Sequence, residues 1–170
     1  MTLSCAACGA KADAVIGDQA ATRGADEGAG EIYIDDEAIA LAGSAASSAA
    51  ASSAARAAFD LVNQQRASAG LGTLTWSDGL ASAALVRAQE IVGTFSHTRP
   101  DGSAWYTVNS SIMYGENLAK LYNSADGVVA AWMASPTHAA NIMDGGFKTM
   151  GISVYQTEDG SWYWAQEFGY

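Results

Sequence analysis

The chain has 170 residues, with 18 Asp and Glu against 8 Lys and Arg, a formal net charge of −10 and 49% hydrophobic residues. That length suits one ordinary domain, and an acidic chain without a Lys or Arg cluster argues against nucleic acid and anionic membranes as partners. No run approaches the roughly 18 consecutive apolar residues of a transmembrane helix, so we expect no membrane-spanning segment.

The first third of the chain differs sharply in composition from the rest. Among the Phe, Trp and Tyr residues, only Tyr33 lies before Phe59, and residues 1–58 are rich in Ala, Gly, Ser and acidic side chains. The few large apolar side chains of this segment cannot bury enough surface to offset the conformational entropy that folding would cost. We therefore predict a leader and an acidic tail or linker over 1–53 and a folded domain over 54–170. The Ala-rich run 44–58 leaves open whether the first helix starts earlier.

Both cysteines, Cys5 and Cys8, lie in the first twelve residues. A Cys-x-x-Cys pair can be a redox motif or half of a zinc knuckle, although no second pair follows. The small residues also suit the end of an export signal, with a cleavage site at 10–12 or a lipid anchor at Cys8. An unstructured tail with two incidental thiols is the third interpretation, and the three stay open.

Four helices are predicted in the domain. Apolar residues at helical spacing indicate a first helix that ends at Gly70. Ser77 predicts the N-cap of a second helix that closes at Gly93, and Ser124 predicts the cap of a third. Pro136 suits the first turn of a fourth helix, where its missing N–H costs nothing.

The C-terminal stretch predicts a β-hairpin. Apolar and small or polar residues alternate over 150–156 and again over 162–168, and turn residues lie between them at 158–160. The irregular, aromatic stretch 93–124 is long enough to be functional. The fold class that follows is α+β, with helices covering a small antiparallel sheet.

The residues that could carry chemistry are dispersed. The chain has two histidines, His97 and His138, and it lacks a Gly-x-Ser-x-Gly elbow, a His-Glu-x-x-His motif and a phosphate-binding glycine loop. Taken alone, each histidine suits an ordinary hydrogen-bonded position better than a reactive one.

Seven segments, taken in order, resemble the bacterial branch of the CAP superfamily, which comprises the cysteine-rich secretory proteins, antigen 5 and the plant pathogenesis-related 1 proteins. The resemblance covers about residues 54–170. The segments are Asn63-Gln64-Gln65-Arg66, Leu74-Thr75-Trp76, His97-Thr98-Arg99-Pro100-Asp101-Gly102, Gly115-Glu116-Asn117-Leu118, Ala131-Trp132-Met133-Ala134-Ser135-Pro136-Thr137-His138, Asn141-Ile142-Met143 and Trp164-Ala165-Gln166-Glu167-Phe168-Gly169.

The resemblance implies an α-β-α sandwich with a cleft that holds two histidines and two acidic residues. By motif these fall on His97, Glu116 and His138, and Ser135 stands where animal members carry the second carboxylate. Two imidazoles and one carboxylate suit a divalent metal, zinc above all, with an open fourth position. A metal-free polar cluster that holds the cleft loops together is the alternative.

Other residues of these motifs are expected to support the cleft. Ser135 is expected to do so from the helical side. Asp101 is expected to begin a turn and to pair with Arg99 at the cleft rim, where an exposed pair contributes only about 0–1 kcal/mol. Asn117 can bond the loop backbone beside Glu116, and Trp132 is expected to pack between helix and sheet.

Three functions follow from this sequence. We expect an extracellular or cell-surface protein, exported or tethered, that binds an envelope glycan, lipid or peptide in the cleft, and we favour this binding role over an enzymatic one. A metal-dependent hydrolase or peptidase that uses His97, Glu116 and His138 is the first alternative. Against it, Glu116 cannot readily be both ligand and general base. A structural envelope component is the second alternative.

Overall fold

A computed structural model describes residues 15–16, 21–22 and 49–170 of the chain. Within these ranges there are four α-helices, one short 3₁₀ helix and six β-strands. In chain order they are β1 (Val15–Ile16), β2 (Ala21–Thr22), α1 (Ala49–Ser68), β3 (Thr75–Trp76), α2 (Asp78–Glu90), the 3₁₀ helix (Trp105–Val108), β4 (Gly115–Lys120), α3 (Ala125–Ala134), α4 (Pro136–Ile142), β5 (Thr149–Gln156) and β6 (Trp162–Gly169).

The strands form one sheet in the order β1-β4-β6-β5-β3, and β2 also pairs with β4. Strands β4, β6 and β5 pair antiparallel, which confirms the C-terminal hairpin. Its turn ends at Gly160, whose φ of +86° favours glycine. One pairing departs from the antiparallel sheet expected, because β3 runs parallel to β5.

Helices cover both faces of the sheet, as the α-β-α sandwich predicts. Helices α1, α3 and α4 share one core with Met150, Ile152 and Trp164 from the hairpin. On the opposite face α2 packs on Ala165 and on Leu118 of β4. Helix α2 lies so close to the hairpin that a Cβ added at Gly151 would come within 2.1 Å of the Ala81 backbone nitrogen.

The predicted helix boundaries hold with one correction. Ser77 and Ser124 cap α2 and α3, each accepting a backbone N–H at 3.2 Å. Gly70 follows α1 with φ +74°. The prediction that α2 runs to Gly93 is wrong, because the helix ends at Glu90 and the next three residues form turns.

Buried Arg66 fixes the C-terminal end of α4. Its guanidinium donates to the carbonyl oxygens of Ile142 at 2.7 Å and Asp144 at 2.8 Å, and also to that of Gly72 at 2.8 Å. The last carbonyls of a helix otherwise lack partners. A charged residue of α1 thus holds the helix that carries His138.

Part of the predicted tail belongs to the sheet. Strands β1 and β2 lie between residues 15 and 22 and pair with β4, where the edge of the sheet offers open hydrogen-bonding groups. Helix α1 begins at Ala49, inside the predicted linker, so the Ala-rich run does extend it. The predictions made for Cys5 and Cys8 fall outside the described residues. Within the described ranges, no helix combines the length and apolar character that spanning a bilayer requires.

Candidate functional site

Glu116 lies at the centre of a buried charged cluster. It is the second residue of β4, and no part of it is exposed. Its Oε2 accepts from Arg87 Nε at 2.7 Å, and its Oε1 accepts from Arg87 Nη2 at 3.2 Å. Oε1 also lies 2.6 Å from His97 Nδ1. Because an ionised carboxylate only accepts, Nδ1 carries the hydrogen of that bond.

Arg87 connects α2 to both the sheet and the loop that holds His97. Besides its bonds to Glu116, its guanidinium donates to Glu90 Oε2 at 2.5 Å and to the Ser96 carbonyl at 2.7 Å. Burial alone would lower the pKa of Arg87, but the two carboxylates raise it above its usual value. The guanidinium is therefore a fixed positive charge that no solvent reaches.

The same surroundings keep Glu116 ionised. Burial alone would raise the pKa of its carboxyl, but the hydrogen bond from His97 and the charge of Arg87 lower that pKa below its ordinary value. A buried charge persists only when it is paired and hydrogen-bonded, and here both oxygens are engaged.

Glu167 is a second carboxyl group beside Glu116. The two residues are directly opposite in the β4–β6 ladder, so their side chains share the face that α2 covers. Within the described part of the chain, no N–H or hydroxyl group donates to either oxygen of Glu167. Burial, with the charge of Glu116 beside it, raises the pKa of Glu167 well above its usual value. A raised pKa favours the neutral, protonated form of Glu167 beside the ionised Glu116.

His138, on α4, is buried and neutral. Its Nδ1 lies 2.8 Å from Ser135 Oγ, and its Nε2 is buried without a partner among the described residues. Burial, together with a smaller effect of nearby His97, lowers the pKa of His138 to about 4. At neutral pH His138 therefore contributes polar atoms to the site and no charge.

Three buried amides join α4 to the sheet beneath His138. Asn117 Nδ2 donates to the His138 carbonyl at 3.1 Å and to Gln166 Oε1 at 2.9 Å. Asn141 Nδ2 donates to Asn117 Oδ1 at 3.1 Å and to the Glu116 carbonyl at 3.2 Å. Asn117 therefore fixes the helical backbone at His138, whereas the sequence predicted a bond to the loop backbone.

A family model described as the cysteine-rich secretory protein family, CAP, matches residues 59–168. This chain belongs to the CAP family. The Bacillus subtilis protein YkwD is 34% identical over 116 residues, which are 64% of this chain and 44% of YkwD. The CAP domain described above thus aligns with less than half of the length of that relative.

Solved structures of other bacterial proteins share the fold of this CAP domain. An extracellular SCP-domain protein of Bacillus anthracis matches with a TM-score of 0.63 and 22% identity, over 69% of this chain and 40% of its own. An outer surface protein of Borrelia burgdorferi matches with a TM-score of 0.60 and 21% identity, over 67% of this chain and 90% of its own. At such identities the likeness concerns the fold.

The structure does not show His97, Glu116 and His138 arranged as a ready divalent-metal site. Both oxygens of Glu116 are engaged, and the Arg87 guanidinium lies where a cation would be repelled. In the described ranges, no group of three or more His, Cys, Asp or Glu side chains is arranged to hold a metal. Zinc binding by this protein stays a prediction, and no step below depends on it.

The predicted support residues have mixed outcomes. Arg99 pairs with Glu90 at 2.7 Å, so the predicted pair of Arg99 with Asp101 is wrong. Asp101 instead accepts from the backbone N–H of Ser103 at 2.9 Å, in the turn that Gly102 closes with φ +82°. Asp101 is hydrogen-bonded within its own turn, and Arg99 pairs instead with Glu90 at the end of α2.

Trp132 packs as expected. It is fully buried against Trp164 of β6, with ring centroids 6.4 Å apart, and its indole N–H donates to the Leu118 carbonyl at 3.3 Å. Ser135, at the position of the missing carboxylate, orients His138 by the hydroxyl contact described above. A serine there can fix the imidazole without adding charge.

Three residues of the cluster were missed by sequence reasoning: Arg87, Glu90 and Glu167. A signal existed for Arg87, which lies on the same face of α2 as Leu80, Ala84 and Ala88. A charged residue on an apolar helix face requires a buried partner. Glu167 gave a weaker signal, since only the strand register shows that it lies opposite Glu116.

Proposed function

We propose that this CAP domain is exported and works at the cell envelope as a binding module without catalytic activity. Its ligand is a glycan, a lipid or a peptide of that envelope. The observation that carries the proposal is the state of Glu116, whose two oxygens are occupied by Arg87 and His97. The names of two structural relatives, one extracellular and one an outer surface protein, support the location.

A hydrolase of this class would need a group that activates water. Glu116 is buried and ion-paired, which removes the basic oxygen that a general base must present. Glu167 and His138 are both fully buried, and His138 has a pKa of about 4, so neither presents an accessible base of ordinary strength to a substrate. The geometry therefore supports binding over hydrolysis.

The part of the site that meets solvent is the His97 loop. The His97 side chain is 25% exposed, whereas Glu116 behind it has no exposure. The loop is fixed from behind by Arg87 at Ser96 and by Arg99 at Glu90. A loop that is already ordered loses less entropy when it binds, which favours recognition of a ligand by this surface.

Binding is tested by cosedimentation of the full chain with three separate probes: isolated cell-wall sacculi, phospholipid vesicles and immobilised wall peptides. We expect retention on one probe, loss of that retention in His97→Ala, and no change in the control Val86→Ala, which alters an exposed residue of α2. Equal retention of both variants, or no retention on any probe, contradicts the proposal. Cleavage of a probe that disappears in Glu116→Gln would establish the hydrolase instead.

Export is tested by fractionating the native host and locating the protein by immunoblot. We expect the protein in the medium or in the envelope fraction. Recovery in the cytoplasm alone contradicts export and leaves the binding result to be judged separately.

A further inference from the structure

Strand β4 is covered on its outer side by residues from the first part of the chain. The order of the sheet is β1-β4-β6-β5-β3, and β2 pairs with β4 as well. Without β1 and β2, β4 would be an edge strand of the described sheet. We call its backbone on the side away from β6 the β4 edge. In this structure the β4 edge accepts an extended, antiparallel segment.

The β4 edge lacks the features that keep other chains away from an edge strand. Exposed charges, prolines and bulges are the usual ones. Strand β4 has no proline, and its first five residues are buried, so that Lys120 at its end is its only partly exposed charge. Backbone groups along this edge need either water or another chain as partners. The edge therefore depends on the segment that covers it.

The covering segment, residues 15–22, is held by few pairings. Strands β1 and β2 each pair two residues with β4. Residues 17–20 separate the two pairings along the segment, whereas only Asn117 and Leu118 separate them on β4. So few backbone hydrogen bonds gain little more than the conformational entropy lost by the residues that form them. We therefore expect the 15–22 segment to detach and rebind while the domain stays folded.

The link between this segment and the domain is long. Residues 23–48 separate Thr22, the end of β2, from Ala49, where α1 begins. A fully extended link of these 26 residues spans up to about 90 Å, which exceeds the roughly 30 Å diameter of a small domain. The 15–22 segment of one molecule is therefore long enough in its reach to cover the β4 edge of a neighbouring molecule.

We propose that the β4 edge is a self-association surface, which takes the 15–22 segment of a second copy of this chain in place of its own. The pairings are the same in both cases, so the exchange requires no new complementarity between the two molecules. Reciprocal exchange covers both β4 edges and closes a two-fold dimer. The link favours the chain's own segment at low concentration, and the second copy competes as the concentration rises. The proposal does not depend on the function proposed for the His97 surface.

Sedimentation of the full chain between about 1 µM and about 1 mM tests the exchange, and we expect a dimer that increases with concentration. Proline at the four paired positions removes the N–H groups that bond β4 and should weaken dimerisation by roughly tenfold or more. Four prolines in the link are the matched control and should leave dimerisation unchanged. The test variant carries Val15→Pro, Ile16→Pro, Ala21→Pro and Thr22→Pro, and the control carries Ala25→Pro, Ala29→Pro, Ala38→Pro and Ala40→Pro.

A synthetic peptide of residues 13–24 locates the surface. Added to the test variant, whose own segment cannot pair, it should shift the amide NMR signals of residues 115–120, and it should dissociate the dimer of the unmodified chain. A chain that stays monomeric up to about 1 mM overturns the proposal. So does a dimer that the test variant forms as readily as the control. Peptide shifts that centre outside β4 overturn it as well.

Discussion

Neighbouring residues of β4 and β6 bury two different kinds of polar group on opposite faces of one sheet. Glu116 and Glu167 face α2 and form a charged cluster with Arg87. Asn117 and Gln166, one position away on each strand, face the other way and bond each other beneath α4. Side chains alternate between the faces of a strand, so a single pair of strands supports both.

The difference between the faces lies in what each needs to stay buried. Neutral amides carry donors and acceptors in one group, and the network around Asn117 is complete without any ion. On the carboxyl face, Glu116 depends on a guanidinium and an imidazole hydrogen, and burial beside it raises the pKa of Glu167. Loss of the single partner Arg87 on the charged face should therefore leave an uncompensated buried charge, whereas loss of a partner on the amide face leaves only unpaired neutral groups.

Arg87→Met is the most severe test of this comparison. It leaves Glu116 ionised without its main counterion, and breaking a buried pair costs about 3–5 kcal/mol. We expect urea unfolding at pH 7 to show that loss. The control Arg56→Met removes an exposed guanidinium and should cost less than about 1 kcal/mol.

The double variant Arg87→Met with Glu116→Gln tests whether the unpaired charge of Glu116 causes the loss of stability. It removes the uncompensated charge, so part of the lost stability should return. A double variant no more stable than Arg87→Met alone would show that packing at position 87, rather than charge, matters.

Asn117→Ala tests the amide face. It leaves a donor of Asn141 and the acceptor of Gln166 without their partner, at about 1–3 kcal/mol for each buried group. We expect a loss of unfolding free energy that is independent of pH between 5 and 8. Asn123→Ala, at an exposed position after β4, is the control and should change stability by less than about 0.5 kcal/mol.

His138 brings pH dependence to the amide face. Its folded pKa of about 4 is below the unfolded value, so the unfolded chain takes up a proton first as the pH falls. Stability from this group is therefore full above about pH 6.5 and decreases between pH 6.5 and 4, by about 3 kcal/mol. His138→Gln should show a smaller loss than wild type between pH 7 and 4.5. Parallel losses in the two proteins would contradict this assignment.

Glu167→Gln should change least near pH 5, because a protonated acid is replaced by a neutral amide of similar shape. The raised pKa of Glu167 means that the folded state keeps a proton which the unfolded state releases, so wild-type stability falls as the pH rises above about 4.3. The variant escapes this fall, and we expect its advantage to grow by up to about 1 kcal/mol per pH unit. Urea midpoints at pH 5, 6.5 and 8 measure it.

The helices and the hairpin were predictable because their signals are local. Ser77 and Ser124 identify helix starts through their own hydroxyl groups, and alternation over the last two strands requires no distant partner. The two-residue strands β1 and β2 were not predictable. Their pairing depends on the open edge of β4, about a hundred residues away in the chain.

In the candidate site, too, local motifs were predictable and contacts between distant residues were not. Motif order pointed to His97, Glu116 and His138, and the structure does engage two of them directly with each other. The motifs gave no indication that Arg87 would be hydrogen-bonded to the Glu116 carboxylate. Ion pairing between α2 and β4 depends on their packing, which no spacing of residues along the chain records.

By itself, the sequence determined the family, the α+β class and the positions of most helices and of the hairpin, because hydrophobic period, capping and turn chemistry act within a few residues. Only the tertiary structure decided that Glu116 is neutralised by Arg87 and that burial beside Glu116 raises the pKa of Glu167. Those outcomes depend on desolvation and on neighbours that are brought together by folding, and neither is a property of a residue or its local sequence.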